Sequence, residues 1–327
     1  MGFFQFLKSK PEKPKELSEQ SKFDILRDDG LRAMKMGELP YATKCFTEAL
    51  ALREDLAVLS YLAEAQFRMF DFVSALPALA KLHEVEPENL NILQLLARAQ
   101  GGTGDFAAME QSCQEALEFI GEGACQTEQR VLFLYYLAEA QAHNGGANAA
   151  IEQLTLALTL KPGFVDALCL RAKILMRLGK WEDALADTTA LTENGADSAE
   201  FFALQAEALA ALQNYDEAAG YFQKSLEQDP FHRPTILKYS QMLCQNAQWD
   251  LALALLNDSI ELIPDFAEAY RERSGVKLHL NDEVGAAEDL KNSEELGTQF
   301  SNNGETEFSN IENSMNDRYR SLNPYGF

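Results

Sequence analysis

A period of 34 residues runs through most of this sequence. Pro230 and Pro264 are 34 residues apart, and Pro162 and Pro230 are 68 apart, which is twice that distance. Counted in steps of 34, successive segments begin at residues 131, 165, 199, 233 and 267. A seven-residue insertion near residues 121–130 interrupts the count, and the earlier segments begin at residues 90, 56 and 23. Such a period predicts stacked copies of one supersecondary unit, because each copy can bury its apolar face only against its neighbours.

Two positions of every repeat define the geometry of the unit. The eighth position holds only Gly, Ala or Ser, at residues 30, 63, 97, 138, 172, 206, 240 and 274. The twentieth position is Ala in every repeat except the third, where Met109 replaces it. Small side chains at both positions allow two antiparallel helices to approach closely, since packed interiors leave no space for larger groups. Each repeat is therefore predicted to be a helical hairpin.

This pattern resembles the tetratricopeptide repeat family over residues 23 to about 300. The segments Leu175–Leu185 (LMRLGKWEDAL) and Leu209–Ala219 (LAALQNYDEAA) match the family's pattern closely, and eight repeats keep one register. The resemblance implies an all-α fold, a right-handed solenoid of about eight antiparallel helical hairpins whose first helices line a concave face. The repeats are expected near residues 23–55, 56–89, 90–130 with the insertion, 131–164, 165–198, 199–232, 233–266 and 267–300.

Both ends of the chain lie outside the repeats. Residues 1–22 are expected to be a flexible segment because they are rich in proline and lysine, and their apolar start leaves a docking peptide open as an alternative. At the other end, residues 301–327 are expected to form a capping helix and tail, with self-association through the tail left open. The capping helix is predicted from apolar residues at intervals of three and four: Phe308, Ile311, Met315, Tyr319 and Leu322.

Charge and cysteine content restrict the partners. The sequence has 28 Lys and Arg against 51 Asp and Glu, a formal net charge of −23. Because such an acidic surface repels phosphate backbones, nucleic acid is not expected as a partner. The apolar runs are shorter than the roughly 20 residues that cross a bilayer, so no integral membrane association is expected. The five widely spaced cysteines favour a reducing cytoplasm over a disulfide framework or a zinc site.

The sequence contains no recognisable catalytic constellation. The four histidines are far apart, and none has a metal-type neighbour at helical spacing. The glycine-rich run at residues 101–104 ends a predicted helix, whereas a phosphate-cradling loop would follow a strand. The chain is therefore expected not to be an enzyme, and neither a metal ion nor a cofactor is expected.

The resemblance also implies where a partner would bind. In this family the inward side chains come from positions 2, 5, 9, 12 and 13 of each first helix. The predicted function is a non-catalytic scaffold that binds another protein or a peptide in this groove. The alternative is a regulatory or sensor subunit whose groove takes a small ligand or the chain's own tail. The candidate partner-binding residues at the inward positions are Arg68, Arg98, Tyr135, Glu139, His143, Lys173, Arg177 and Arg271.

Overall fold

The computed structural model describes residues 18–121, 127–193, 195 and 197–302. Over these residues the chain forms sixteen α-helices and no strand. The predicted all-α fold of antiparallel helical hairpins is therefore confirmed. The chain divides into two compact units, Met1–Gly121 and Glu122–Phe327.

The first unit contains three helical hairpins. Within the unit, the second helix of one hairpin packs against the first helix of the next, so that α2 contacts α3 and α4 contacts α5. Most of these helices begin at a residue whose side chain accepts a backbone N–H bond from the first turn, as Asp55 and Asp105 do. The hairpins are α1 (Glu19–Met36) with α2 (Leu39–Leu52), α3 (Leu56–Arg68) with α4 (Phe72–Val85), and α5 (Leu90–Gly102) with α6 (Phe106–Ile120).

The second unit contains five hairpins. Their first helices contact one another in chain order, α7 with α9, α9 with α11, α11 with α13 and α13 with α15, so these five helices lie side by side. The hairpins are α7 (Thr127–His143) with α8 (Ala147–Leu160), α9 (Val165–Arg177) with α10 (Trp181–Glu193), α11 (Ala199–Ala211) with α12 (Tyr215–Gln228), α13 (Arg233–Gln245) with α14 (Trp249–Leu262), and α15 (Ala267–His279) with α16 (Glu283–Asn302).

The insertion lengthens the first helix that follows it. The helix α7 has 17 residues, whereas α9, α11, α13 and α15 have 13 each. Its start at Thr127 lies one helical turn before the repeat start counted from the sequence. Residues 122–126 of the insertion lie outside the described residues, as do residues 1–17 and the capping helix expected within residues 303–327.

The small residues at the two helix crossings are buried, and their neighbours explain their size. A Cβ added to Gly30 would lie 2.5 Å from Cε1 of Phe46, a ring that is fully buried on α2. Met109, the exception at the twentieth position, is accommodated in the same way, because a Cβ on Gly101 would lie 2.7 Å from its Sδ. A large side chain on one helix is therefore matched by a glycine on the other, and the hairpin keeps its close approach.

Replacing Gly30 by Ala tests this fit. The added methyl group would overlap a rigid, buried ring, so we expect a loss of about 1–3 kcal/mol in the free energy of unfolding. Gly220 is the matched control, since a Cβ at this helical glycine meets nothing within 4 Å. Its replacement by Ala should stabilise the protein by about 0.5–1 kcal/mol. Urea unfolding followed by circular dichroism measures both, and equal effects of the two substitutions would contradict the proposed fit.

Candidate partner-binding surface

The first helices of the second unit present one common set of side chains, which we call the first-helix face. It consists of the residues at repeat positions 2, 5, 9, 12 and 13 on α7, α9, α11, α13 and α15. The repeat that contains α7 is counted from Val131. These positions are three, four or one residue apart, so they lie on one side of each helix. Because the five helices contact one another in order, their faces adjoin within this unit.

The middle helix of the first-helix face, α11, carries three alanines beside its two glutamates, Glu200 and Glu207. On α11, Ala203 and Ala210 are half-buried and Ala211 is exposed, so these three positions of the face carry no side chain larger than a methyl group. The neighbouring helices border these alanines with sulfur-containing and aliphatic side chains. Together they form what we call the apolar floor: Cys169 and Met176 on α9, Ala203 and Ala210 on α11, and Leu237 and Cys244 on α13.

Ion pairs cross the apolar floor from helix to helix. Nζ of Lys173 on α9 lies 2.6 Å from Oε1 of Glu200 on α11. From the other side, Nζ of Lys238 on α13 lies 2.7 Å from Oε1 of Glu207 on α11. Burial by itself lowers the pKa of Lys173, but its interactions with Glu200 and Cys169 outweigh burial and raise that pKa above its ordinary value. The charge of Lys173 is therefore engaged within the protein.

Arg177 and Arg271 differ from Lys173. Arg177 lies one helical turn after Lys173 on α9, and Arg271 lies on α15. Both side chains are exposed, and neither forms an ion pair with another residue of the described part of the chain. Among the predicted cations of the second unit, these two arginines are the ones available to an external carboxylate.

Three candidate residues follow one another at four-residue intervals along α7. The Tyr135 ring packs edge-on against Phe164 with ring centroids 5.5 Å apart, so much of this side chain belongs to the packing between repeats. Burial, with the nearby carboxylates of Glu139 and Asp166, raises the pKa of its hydroxyl. Glu139 is half-buried, and His143 is exposed in the last turn of α7.

The remaining two candidates, Arg68 and Arg98, belong to the first unit. Arg68 forms an exposed pair with Glu64 of the same helix, with Nη1 and Oε1 3.9 Å apart. The guanidinium carbon of Arg98 lies 4.8 Å from the ring centroid of Phe67, which joins α5 to α3 by a cation–π contact. The structure therefore places the eight candidates in two groups, two in the first unit and six in the second.

Two buried ion pairs were missed in the sequence. Arg273 on α15 donates two hydrogen bonds to the carboxylate of Asp289 on α16, at 2.8 and 2.6 Å, and Nζ of Lys277 lies 2.8 Å from the same carboxylate. Arg171 on α9 binds Asp187 on α10 in the same bidentate way. In both repeats the arginine stands at position 7 and the aspartate 16 residues later, at position 23. This shared spacing is a signal that could have identified them.

Two further features of the described residues concern chemistry and membranes. No group of three or more His, Cys, Asp or Glu side chains there is arranged to hold a metal ion. None of the helices in the described ranges is long and apolar enough to cross a membrane.

Comparisons with known proteins identify the repeat. Residues 169–233, which include most of α9 and all of α10, α11 and α12, match the family model described as Tetratricopeptide repeat. This segment of the chain is therefore a tetratricopeptide repeat segment. No curated protein matches the chain at a significant level.

Solved structures of tetratricopeptide repeat proteins share the fold. The C-terminal part of a TPR repeat-containing protein from Cytophaga hutchinsonii is 16% identical with a TM-score of 0.58, and the match covers 73% of this chain and 95% of that one. A tetratricopeptide repeat protein from Parabacteroides merdae is 18% identical with a TM-score of 0.51, and the match covers 84% of this chain and 93% of that one. The structure of pilF from Pseudomonas aeruginosa is 15% identical with a TM-score of 0.53, and the match covers 69% of this chain and 99% of that one. At these identities the likeness shows the fold alone.

The buried carboxylate of Asp289 generates a prediction about stability. Replacing Asp289 by Asn leaves Arg273 and Lys277 without their anion, so we expect the α15–α16 hairpin to lose about 3 kcal/mol. The control is Glu207→Gln, which removes the partly exposed pair with Lys238 and should cost less than about 1 kcal/mol. Amide hydrogen exchange of the two helices measures the local free energy. A loss no larger than that of the control would contradict a structural role for Asp289.

The same carboxylate predicts a response to acid. Burial by itself raises the pKa of Asp289, but hydrogen bonds from Arg273 and Lys277 outweigh burial and hold that pKa below its usual range. Because the folded-state pKa is lowered, the stabilisation is fully present above the unfolded value of about 3.9 and is lost as pH falls through the folded value. After correction for the intrinsic pH dependence of amide exchange, the protection of α15–α16 should therefore fall below about pH 4, and Asp289→Asn should remove this dependence.

Proposed function

We propose that the chain is a non-catalytic scaffold that binds another polypeptide on the first-helix face of its second unit. The tetratricopeptide repeat fold supports a protein-interaction role in general. The observation that carries the specific proposal is the apolar floor, where Ala203 and Ala210 of α11 carry only a methyl group between the two bordering helices. Among the described residues the thiols of Cys45, Cys169 and Cys244 form no disulfide, which supports action in a reducing cytoplasm.

The proposed ligand is a segment of polypeptide with aliphatic or aromatic anchors and an acidic residue. Its apolar side chains would contact the apolar floor, whose side chains on α11 and α13 are half-buried and therefore lose further water-exposed surface on binding. Its carboxylate would pair with Arg177, since Lys173 and Lys238 are already paired with glutamates of α11. Arginine is enriched among the residues that dominate the energy of such interfaces.

An open surface of this kind favours a polypeptide over a small ligand. Small-molecule sites are concave and mostly lined by apolar and aromatic side chains. A cleft of about 350 Å³ at the turn between α11 and α12 is instead polar except for one tyrosine, and it does not include the apolar floor. It is lined by Gln213, Asn214, Tyr215, Asp216, Glu217 and Asn246.

Adding bulk and charge to the apolar floor tests the proposed surface. We expect Ala210→Arg to lose the polypeptide that the wild-type protein retains from a native lysate, because the new side chain would cover the floor. The matched control is Ala186→Arg, the same change at an exposed alanine of α10. Mass spectrometry of the retained proteins compares the three samples. A partner that binds all three equally would place the binding surface elsewhere.

Once that partner is identified, Arg177 tests the proposed carboxylate contact. We expect Arg177→Glu to weaken binding at least tenfold, about 1.4 kcal/mol, since the substitution replaces attraction by repulsion. The control is Lys224→Glu, the same reversal on α12, a second helix of the same unit. Isothermal titration calorimetry measures both affinities. An unchanged affinity for Arg177→Glu would exclude this contact. It would not change the conclusion drawn from Ala210→Arg about the apolar floor.

A further inference from the structure

The aromatic ring at position 17 of a repeat packs against position 13 of the next repeat. In the first unit, a Cβ added to Gly102 at position 13 would overlap the ring of Phe72 at position 17 of the preceding repeat. In the second unit, the imidazole of His279 at position 13 stacks on the indole of Trp249 at position 17 of the preceding repeat. The two ring centroids are 4.0 Å apart and the ring planes are 15° from parallel. The residue at position 13 therefore decides whether the preceding ring is covered.

Trp181, the first residue of α10, lacks such a cover. It stands at position 17 of its repeat, and position 13 of the next repeat is Ala211, an exposed residue with only a methyl group. Within the described part of the chain, no aromatic ring and no cation is stacked on the Trp181 indole. The side chain is half-buried and packs against the cluster of Leu175, Met176 and Ala184. Because Ala211 belongs to the first-helix face, the uncovered indole borders that surface.

Several other aromatic rings of the second unit are covered by cations of the chain itself. The face of an aromatic ring attracts a cation, and the indole of tryptophan attracts it most strongly. An uncovered tryptophan next to a binding surface therefore favours a cation from outside the chain. The internal contacts, with their distances to the ring centroid, are Lys161 on Phe164 at 5.5 Å, Lys224 on Tyr221 at 4.7 Å, Arg233 on Phe266 at 5.0 Å and Arg273 on Tyr270 at 5.3 Å.

The charge beside Trp181 also favours a cation. Glu182 and Asp183 follow it in the first turn of α10, and both are exposed. Neither carboxylate forms an ion pair with a residue of the described ranges. Lys180 precedes Trp181, so the three charged residues next to it along the chain carry one net negative charge. Arg177 stands at position 13 of the same repeat, the position that packs against the preceding repeat, and it therefore does not cover Trp181.

We propose that the indole of Trp181 binds an arginine side chain of the partner polypeptide. This rests on the proposed function, in which a polypeptide lies on the first-helix face, and it adds one cation to the ligand described there. The guanidinium group is planar, so it can stack on Trp181 as the imidazole of His279 stacks on Trp249. The ammonium group of lysine is a compact point charge and cannot stack in this way. Arginine is therefore the side chain that fits this site.

Fluorine NMR of the full chain labelled with fluorotryptophan tests this proposal. The sequence has two tryptophans, Trp181 and Trp249, so the label gives two resonances, which Trp249→Phe assigns. The probe is acetyl-arginine amide, and its control is acetyl-citrulline amide, which has nearly the same shape without the charge. We expect the arginine probe to shift the Trp181 resonance at least about threefold further than that of Trp249, because His279 already covers Trp249. The citrulline compound should shift the Trp181 resonance much less.

Substitutions at position 13 exchange the states of the two tryptophans. Ala211→His should cover Trp181 as His279 covers Trp249, and it should abolish the response of Trp181 to the arginine probe. Ala211→Ser is the matched control, since serine is too small to cover an indole, and it should keep the response. His279→Ala, the reciprocal variant, should uncover Trp249 and make its resonance respond. Ala211 and His279 are both exposed, so these substitutions leave the buried core of the repeats unchanged.

The remaining outcomes overturn the proposal. They are equal responses of the two tryptophans in the wild-type protein, equal responses of Trp181 to the arginine and citrulline probes, and a Trp181 response that survives Ala211→His. Because the probe has no apolar anchor, the result does not depend on the apolar floor. A silent Trp181 in a protein that loses its partner on Ala210→Arg would refute the arginine site alone. A responsive Trp181 in a protein whose partner survives Ala210→Arg would keep the arginine site and refute the apolar floor.

Discussion

The close approach of two helices at positions 8 and 20 is the constraint on which the rest of the structure depends. Where one helix carries a larger side chain near the crossing, the other carries a glycine that packs against it. Gly30 packs against Phe46 in this way, and Gly101 against Met109. Because each hairpin is held at the same short distance, the hairpins of one unit stack in the same way. In the second unit this stacking sets five first helices side by side, and the first-helix face is its consequence.

Much of the fold could be predicted from the sequence because these crossings recur at a fixed period. Six first helices, among them α3 and α9, begin at the repeat starts counted from the proline spacing. The turns between paired helices were harder to predict from the sequence. All eight use a residue with positive φ at position 15, and glycine marks only half of them. The other four are Phe70, Gln213, Ala247 and Asn281, which a search for glycine does not find.

The positions of the candidate binding residues could be predicted from the sequence, but which of their charges are paired within the protein could not. Its residues follow from the spacing of each first helix, whereas the partners of their charges depend on the register between neighbouring repeats. Lys173 was predicted as a cation for an external ligand, yet it pairs with Glu200 on the next first helix. Arg98 covers the Phe67 ring in the first unit. The apolar floor went unpredicted because single alanines carry no signal until α9, α11 and α13 are placed side by side.

The central claim is that a polypeptide covers the apolar floor, and the thiol of Cys244 reports on this directly. It is half-buried on the floor, whereas Cys45 and Cys113 are buried in the first unit. Burial and the nearby Glu272 raise the pKa of Cys244, so alkylation is best followed at alkaline pH. The measurement is the alkylation rate of Cys244, by mass spectrometry, with and without saturating partner. A strong slowing on binding is predicted, and an unchanged rate in the saturated complex would contradict the account.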